Sequence, residues 1–235
     1  MKPVAIFRHY VTEGPGYFSE YLDRAVIPWT LIKLDQSDPV PGEPDDFSGL
    51  AFMGGPMSVN DPLPWIPPVL SLIQAAVARD VPVLGHCLGG QLMSKALGGV
   101  VTRALVKEIG WGPVKLEEKT TAKLWFGSLP DEFHAFHWHG ETFSVPTGAT
   151  RVLSSPWCEN QAFALGKHLG LQCHIEMTES LVRSWCETGE REIRRSNSIA
   201  VQPVDKILAS LEPQVQALHR VADAVYAHWT AGLRA

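Results

Sequence analysis

Short apolar runs alternate with stretches of helical spacing over the first hundred residues. Pro3–Phe7, Thr30–Leu34, Leu50–Met53 and Val81–Leu84 read as strands. They are mostly apolar and bounded by polar or glycine-bearing sequence, the pattern of strands covered on both faces. Tyr17–Arg24 is a candidate helix, Val69–Arg79 carries apolar residues at helical spacing, and Gln91–Leu97 reads as a further helix. Glu13–Gly16 and Ser37–Asp46 hold the prolines and glycines of loops. Strand–helix alternation of this kind predicts a parallel sheet.

Residues 100–175 follow a different pattern. Trp111–Leu116, Ala135–Phe143, Arg151–Leu153 and Leu169–His174 read as strands separated by turns, with little helical spacing. They are expected to extend the sheet and to add antiparallel strands. Pro213–Trp229 places Val215, Leu218, Val221, Ala222 and Val225 along one helical stripe, which predicts a last helix packed on the body. The expected fold is three-layer α/β: a mostly parallel central sheet of the Rossmann or flavodoxin kind with helices on both faces. No internal repeat or low-complexity tract interrupts it.

Composition narrows the classes. A chain of 235 residues with 45% apolar residues can bury a full core of its own. Its formal net charge of -5 argues against nucleic acid or an anionic membrane surface as partner. The Arg191–Arg195 cluster reads as solvated surface. Cys87, Cys158, Cys173 and Cys186 form no C-x-x-C pair, so neither a zinc ribbon nor a redox motif nor a disulfide framework is expected. No signal peptide is recognised, and no apolar run approaches the ~20 residues of a membrane span. The expectation is a cytoplasmic protein with reduced thiols.

One cysteine stands apart. Gly85-His86-Cys87-Leu88-Gly89 follows a predicted strand and precedes a predicted helix. Glycines on each side permit a tight strand-to-helix turn and close backbone approach, as in the G-x-S-x-G nucleophile elbow. The helix would aim its N-terminus at Cys87, favouring the thiolate and offering N–H groups to an oxyanion. A lone cysteine is otherwise a small core residue. His86 should point away from Cys87, since neighbours on a strand alternate faces.

A thiol nucleophile needs a base and an orienting carboxylate. Gln172-Cys173-His174-Ile175-Glu176 closes a predicted strand, where residues two apart face the same way, so His174 and Glu176 are the candidate pair. Gly54-Gly55-Pro56 follows the third strand, on the edge where adjacent parallel strands end. The N–H groups of Gly55 and Leu88 are the candidate oxyanion donors. Taken singly, His174 reads as a strand-end histidine and Gly-Gly-Pro as a plain turn.

Together these motifs resemble the class I glutamine amidotransferase family over roughly residues 3–185. Gly85-x-Cys87-x-Gly89-x-Gln91 is similar to its elbow, Gln172-x-His174-x-Glu176 to its base-and-acid motif, and Gly54-Gly55-Pro56 to its oxyanion strand. Cys173 and Ile175 replace the usual Phe and Pro, which alters packing beside the pair. The resemblance implies a Cys87–His174–Glu176 triad, no metal or other cofactor, and hydrolysis of a γ-glutamyl amide through a thioester. It also implies substrate contacts by Gln91, and by His139 and Glu141 in Trp138-His139-Gly140-Glu141, where the family carries S-H-x-D. Glu108–Val114 is similar to a segment of stand-alone members such as glutaminase subunits of GMP synthase and γ-glutamyl peptidases; no chemistry is assigned to it.

The expected division is a catalytic domain at 1–190 and a helical extension at 191–235. The ~45 residues after 190 are too few for a synthase domain. The protein therefore either acts alone on glutamine or a γ-glutamyl compound, or supplies ammonia to a separate synthase subunit. Rival readings are a zinc site from His134, His137, His139 and Glu141, a related cysteine-bearing chaperone fold, and a non-catalytic binding or regulatory module. The chaperone reading expects histidine directly after the elbow cysteine, and Leu88 stands there.

Overall fold

A computed structural model describes residues 1–234. In chain order the elements are β1 (Val4–Arg8), α1 (Tyr17–Arg24), β2 (Trp29–Lys33), β3 (Gly49–Phe52), α2 (Ile66–Ala78), β4 (Val83–His86) and α3 (Leu88–Ala96). The chain continues through β5 (Val101–Leu116), α4 (Lys119–Phe126), β6 (Glu132–Phe143), β7 (Thr150–Ser154), β8 (Ala162–Leu165) and β9 (His168–Leu171). It closes with α5 (Glu179–Arg195), β10 (Ala200–Val201), α6 (Val204–Ala209) and α7 (Leu211–Ala231).

The sheet runs β10-β5-β7-β8-β9-β4-β3-β1-β2, with β6 paired to β5. From β9 to β2 all neighbours are parallel; β5 to β9 are joined by antiparallel pairings. The three-layer α/β expectation holds, with helices on both faces of the sheet. Alternation along the buried strands divides the core between the faces. Val4, Ile6, Ala51, Met53 and Leu84 join α1, α4, α5 and α7 in one cluster. Ala5, Phe7, Leu50, Phe52 and Val83 join α2 and α3 in the other. Both faces of β1 and β3 are therefore covered, which is why these strands are almost wholly apolar.

Several boundaries differ from the sequence reading. The fourth strand is Val83–His86 rather than Val81–Leu84, and it leads directly into Cys87. The next helix begins at Leu88 rather than Gln91. Gly89 and Gly90 are poor helix formers, but a Cβ on Gly89 would strike the Phe52 carbonyl, so close packing overrides propensity. The second long helix starts at Ile66, its two prolines falling within the first turn, where a missing N–H costs nothing. The strand expected from Trp111 begins at Val101, and α4 lies in a region expected to lack helix. Leu169–His174 is not one strand. β9 ends at Leu171, and His174 rejoins the sheet only through an isolated bridge to Phe136.

The tail helix packs on α1, α4 and β6, burying Leu218, Val221, Ala222, Val225 and Trp229. Residue 190 lies inside α5, and β10 pairs with β5, so residues beyond 190 also contribute to the sheet. No helix among the described residues is long and apolar enough to cross a membrane.

Candidate active site

The carboxyl ends of β1, β3, β4 and β9 meet on one edge of the sheet, where ligands bind in open α/β folds. The chain emerging from each end carries one part of the site: His9, Gly54-Gly55, Cys87 and Gln172–Glu176. A pocket of about 950 Å³ lies over this edge, lined by Cys87, His174, Gln91, Gly55 and the Trp138–Glu141 segment, among others.

Cys87 occupies the apex between β4 and α3 with φ of 48°, a left-handed conformation sparsely populated by residues other than glycine. Such strain costs on the order of 1–3 kcal/mol and is held in place by its surroundings. Gly85 packs against the backbone of Gly89 and Gly90 with no room for a side chain. The turn is fixed by the first helical bond, in which Gln91 N–H donates to the Cys87 carbonyl at 3.0 Å. The N–H groups of the first turn of α3 have no intrahelical acceptor. Gln172 Nε2 donates to Cys87 Sγ at 3.5 Å, and Gln91 Nε2 donates in turn to Gln172 Oε1 at 3.1 Å. The sequence reading quoted Gln172 without giving it a part; its place two residues before His174 was the available signal.

His174 and Glu176 do meet, although neither lies on a regular strand. His174 Nδ1–H donates to Glu176 Oε1 at 2.6 Å, with both side chains buried. That bond fixes the tautomer and leaves Nε2 facing Cys87 with no other partner. Burial disfavours the charged imidazole, but Glu176 and the facing Cys87 outweigh it and hold His174 well above its ordinary value. Burial likewise raises the Glu176 carboxyl; His174, with His86, overcomes this and holds it at about 2.

His86 points away from Cys87, on the opposite face of β4. It lies behind the carboxylate, with Nε2 3.9 Å from Glu176 Oε2 and 3.1 Å from the Tyr226 hydroxyl of α7. The tail helix thus supports the site from beneath. His9, absent from the sequence reading, supports it from the side. Its Nδ1 faces the carbonyls of Met53 at 3.0 Å and Gly54 at 3.3 Å, so that nitrogen carries the proton. Burial outweighs these bonds and lowers His9 to about 4, so the ring is neutral. With the Gly54 carbonyl held by His9, the planar trans peptide turns the Gly55 N–H the other way.

The class I glutamine amidotransferase family matches residues 19–184. The chain belongs to the class I glutamine amidotransferase family. A glutamine amidotransferase-like protein, YfeJ, of Salmonella typhimurium is 29% identical over 193 residues, covering 79% of this chain and 80% of that one. A GMP synthase of Lactobacillus acidophilus is 36% identical over 168 residues, which are 70% of this chain but only 29% of the synthase. The crystal structure of a glutamine amidotransferase from Methylobacillus flagellatus superposes with TM-score 0.97 at 46% identity, covering 100% of this chain and 96% of that one.

In this family member the β5–β6 ribbon walls the pocket. Pairing is interrupted between Arg103 and Glu108, and the unpaired stretch overhangs the site. Glu141, one of the two substrate contacts expected here, accepts from Ser58 Oγ at 3.0 Å and lines the pocket. His139 also lines the pocket, but its ring is buried: Nδ1 donates to the Glu141 carbonyl at 3.0 Å and Nε2 lies 3.2 Å from Glu108. The four-residue zinc set does not assemble. His134 lies near Gln214 on the exterior, and Glu141 turns to Ser58. The residues that converge are Glu108, His137 and His139. Gln161 Nε2 stands among them, 2.8 Å from Glu108, 3.3 Å from His137 and 3.4 Å from His139. These are hydrogen-bond distances.

A buried histidine far from the site carries a test of the electrostatics. His168 accepts from the Val83 N–H, and burial, only partly countered by Asp80, lowers it to about 4. In the unfolded chain it takes up a proton near pH 6.5. Between these values the unfolded state binds more protons, so this group's contribution falls as pH drops through the window. Urea titrations of His168→Asn are expected to show a weaker loss of stability than wild type between pH 6.5 and 4, by about 2 kcal/mol. Parallel curves would contradict the assignment.

Proposed function

We propose that this chain hydrolyses a γ-glutamyl amide by cysteine-dependent catalysis through a thioester. Cys87 gives its proton to His174 Nε2 and its sulfur attacks the side-chain carbonyl, and the Gly55 and Leu88 N–H groups hold the oxyanion, each worth roughly 3–4 kcal/mol. His174 Nε2, oriented by Glu176, gives its proton to the departing ammonia or amine. It then takes a proton from the water that attacks the thioester, releasing glutamate and restoring the thiol. Gln91 and Glu141 take the amino-acid end of the substrate, and His139, its ring nitrogens engaged by Glu108 and the Glu141 carbonyl, holds that wall of the pocket in place. The observation that carries this reading is Cys87 at the elbow, faced by the free Nε2 of a histidine bonded to a buried carboxylate.

The catalytic unit is assigned to 1–190, with 191–235 an extension that completes α5, adds β10 to the sheet and packs α7 on the body. The free cysteines fit the reducing cytoplasm. A second reading, a glutaminase subunit feeding ammonia to a separate synthase, is favoured by the GMP synthase relative, of which the aligned segment is a minor part. The two are separated by assaying purified protein alone against glutamine and several γ-glutamyl peptides and amines. Release of glutamate from at least one, without ATP or metal, is expected. Hydrolysis that starts only when a synthase is added would establish the second reading; a protein that neither turns over nor is labelled by glutamine analogues would be a binding module.

A further inference from the structure

The loop between β1 and α1 brings into the pocket a carboxyl group that the proposed mechanism leaves unused. Glu13 is half-buried and lines the pocket beside Cys87 and His174. Its Oε2 lies 2.7 Å from the point a Cβ on Gly54 would occupy, and His174 Cε1 lies 3.3 Å from that same point. The missing side chain at Gly54 therefore leaves the space in which carboxyl and imidazole converge. Cε1 is bonded to Nε2, the nitrogen that faces Cys87.

The loop is held on both sides. Glu13 N–H donates to the Tyr10 carbonyl at 3.0 Å, Trp185 Nε1 to Thr12 O at 2.9 Å, and Tyr17 N–H to Glu176 O at 2.9 Å. Among the described residues no hydrogen bond or ion pair engages the Glu13 carboxyl. Burial raises it to about 7, with His174 lowering it and Glu176 raising it. The other charged groups lining the pocket are Asp61, Arg103, Lys107, Glu141 and Glu192, and Lys107 is paired with Glu192. A half-buried carboxylate that lines a pocket without a partner offers a place for a cation or a strong donor.

We propose that Glu13 forms an amine subsite on the leaving-group side of Cys87, which takes a positively charged amine carried by the departing group. This rests on the hydrolase reading and narrows its substrates to γ-glutamyl amides of diamine type, in preference to those whose leaving group is neutral or anionic. The released amine, protonated, would meet the same carboxylate.

The subsite is tested without turnover by the charge preference of Cys87 toward methanethiosulfonates at pH 8, read by peptide mass spectrometry. Cys87 alone of the four cysteines lines the pocket, and burial raises each of the other three, so labelling reports Cys87. Wild type is expected to favour the aminoethyl reagent over the neutral methyl reagent by about tenfold relative to Glu13→Gln. The ratio of the two rates cancels any change in the thiol itself. A straight-chain diamine should also slow neutral labelling of wild type, where the matching diol does not, which requires no variant to fold. Equal ratios in wild type and Glu13→Gln, or no protection by diamine, would overturn the subsite. Charge preference with no hydrolysis of any γ-glutamyl amide would keep the subsite and reject the hydrolase reading.

Discussion

Cys87→Ala is expected to bring γ-glutamyl hydrolysis down by roughly six orders of magnitude, to background, with the fold retained. In the proposed mechanism the sulfur is the atom that becomes bonded to substrate, and no neighbour can replace it. Cys158, Cys173 and Cys186 are buried away from the pocket lining, and burial raises each of them. The fold should survive because alanine, like cysteine, has one short side chain at a position fixed by Gly85, Gly89 and the first turn of α3. A glutamine-derived chloroketone should add one mass to wild type and none to the variant. Unchanged turnover in a folded Cys87→Ala protein would reject the nucleophile assignment.

His174→Ala is expected to cost nearly as much, because a nucleophile and its base act as one unit and their losses do not add. The double variant with Cys87→Ala should be scarcely slower than either single one. Glu176→Gln is expected to cost less, roughly 10⁴-fold. A glutamine amide facing Nδ1 offers either a carbonyl, which keeps the tautomer but loses the charge, or an NH2 group, which turns the proton onto Nε2. Either change removes the stabilisation of imidazolium that Glu176, held at about 2, supplies across the neutral range. A His174→Ala protein with normal rate would place the base elsewhere. His86 would then be the residue to examine, although its position behind Glu176 leaves it no direct route to the sulfur.

The parallel half of the sheet was legible because burial on both faces leaves a simple mark. β1, β3 and β4 are short apolar runs whose alternate residues enter different cores, with polar residues only at the ends of β1 (Arg8) and β4 (His86). The antiparallel half was less so. The first half of β5 is largely exposed, with Leu105 fully open to solvent, and Glu108–Trp111 are buried in a row, so in–out alternation appears only from Val114. α5 buries only Val182, Trp185, Cys186 and Ile193 along a narrow stripe in an otherwise charged helix. Its N-cap, Thr178, was a readable signal.

For the candidate site, glycine spacing singled out Cys87 and the two-residue spacing His174 and Glu176; Cys87 and His174 line one pocket, with Glu176 buried behind His174. The supporting groups were not legible, since each depends on a tertiary neighbour. His9 matters through the carbonyl of Gly54, Gln172 through a sulfur 85 positions away, and Tyr226 through His86. Glu108 had no assigned chemistry; the buried hydrogen-bonded cluster it forms with Ser155, Gln161 and His139 shows that it braces the pocket wall. Glu13 stood in a loop chosen only for its glycines and proline, and no periodicity could mark a side chain that turns inward from a loop.

The most direct test of the thioester mechanism is acid quenching of the protein during turnover of a γ-glutamyl amide, followed by mass spectrometry of the peptide bearing Cys87. The account predicts a γ-glutamyl group on Cys87, removable by hydroxylamine and absent from Cys87→Ala. Turnover that proceeds with Cys87 unmodified, under conditions where release of the first product outpaces release of glutamate, would contradict it.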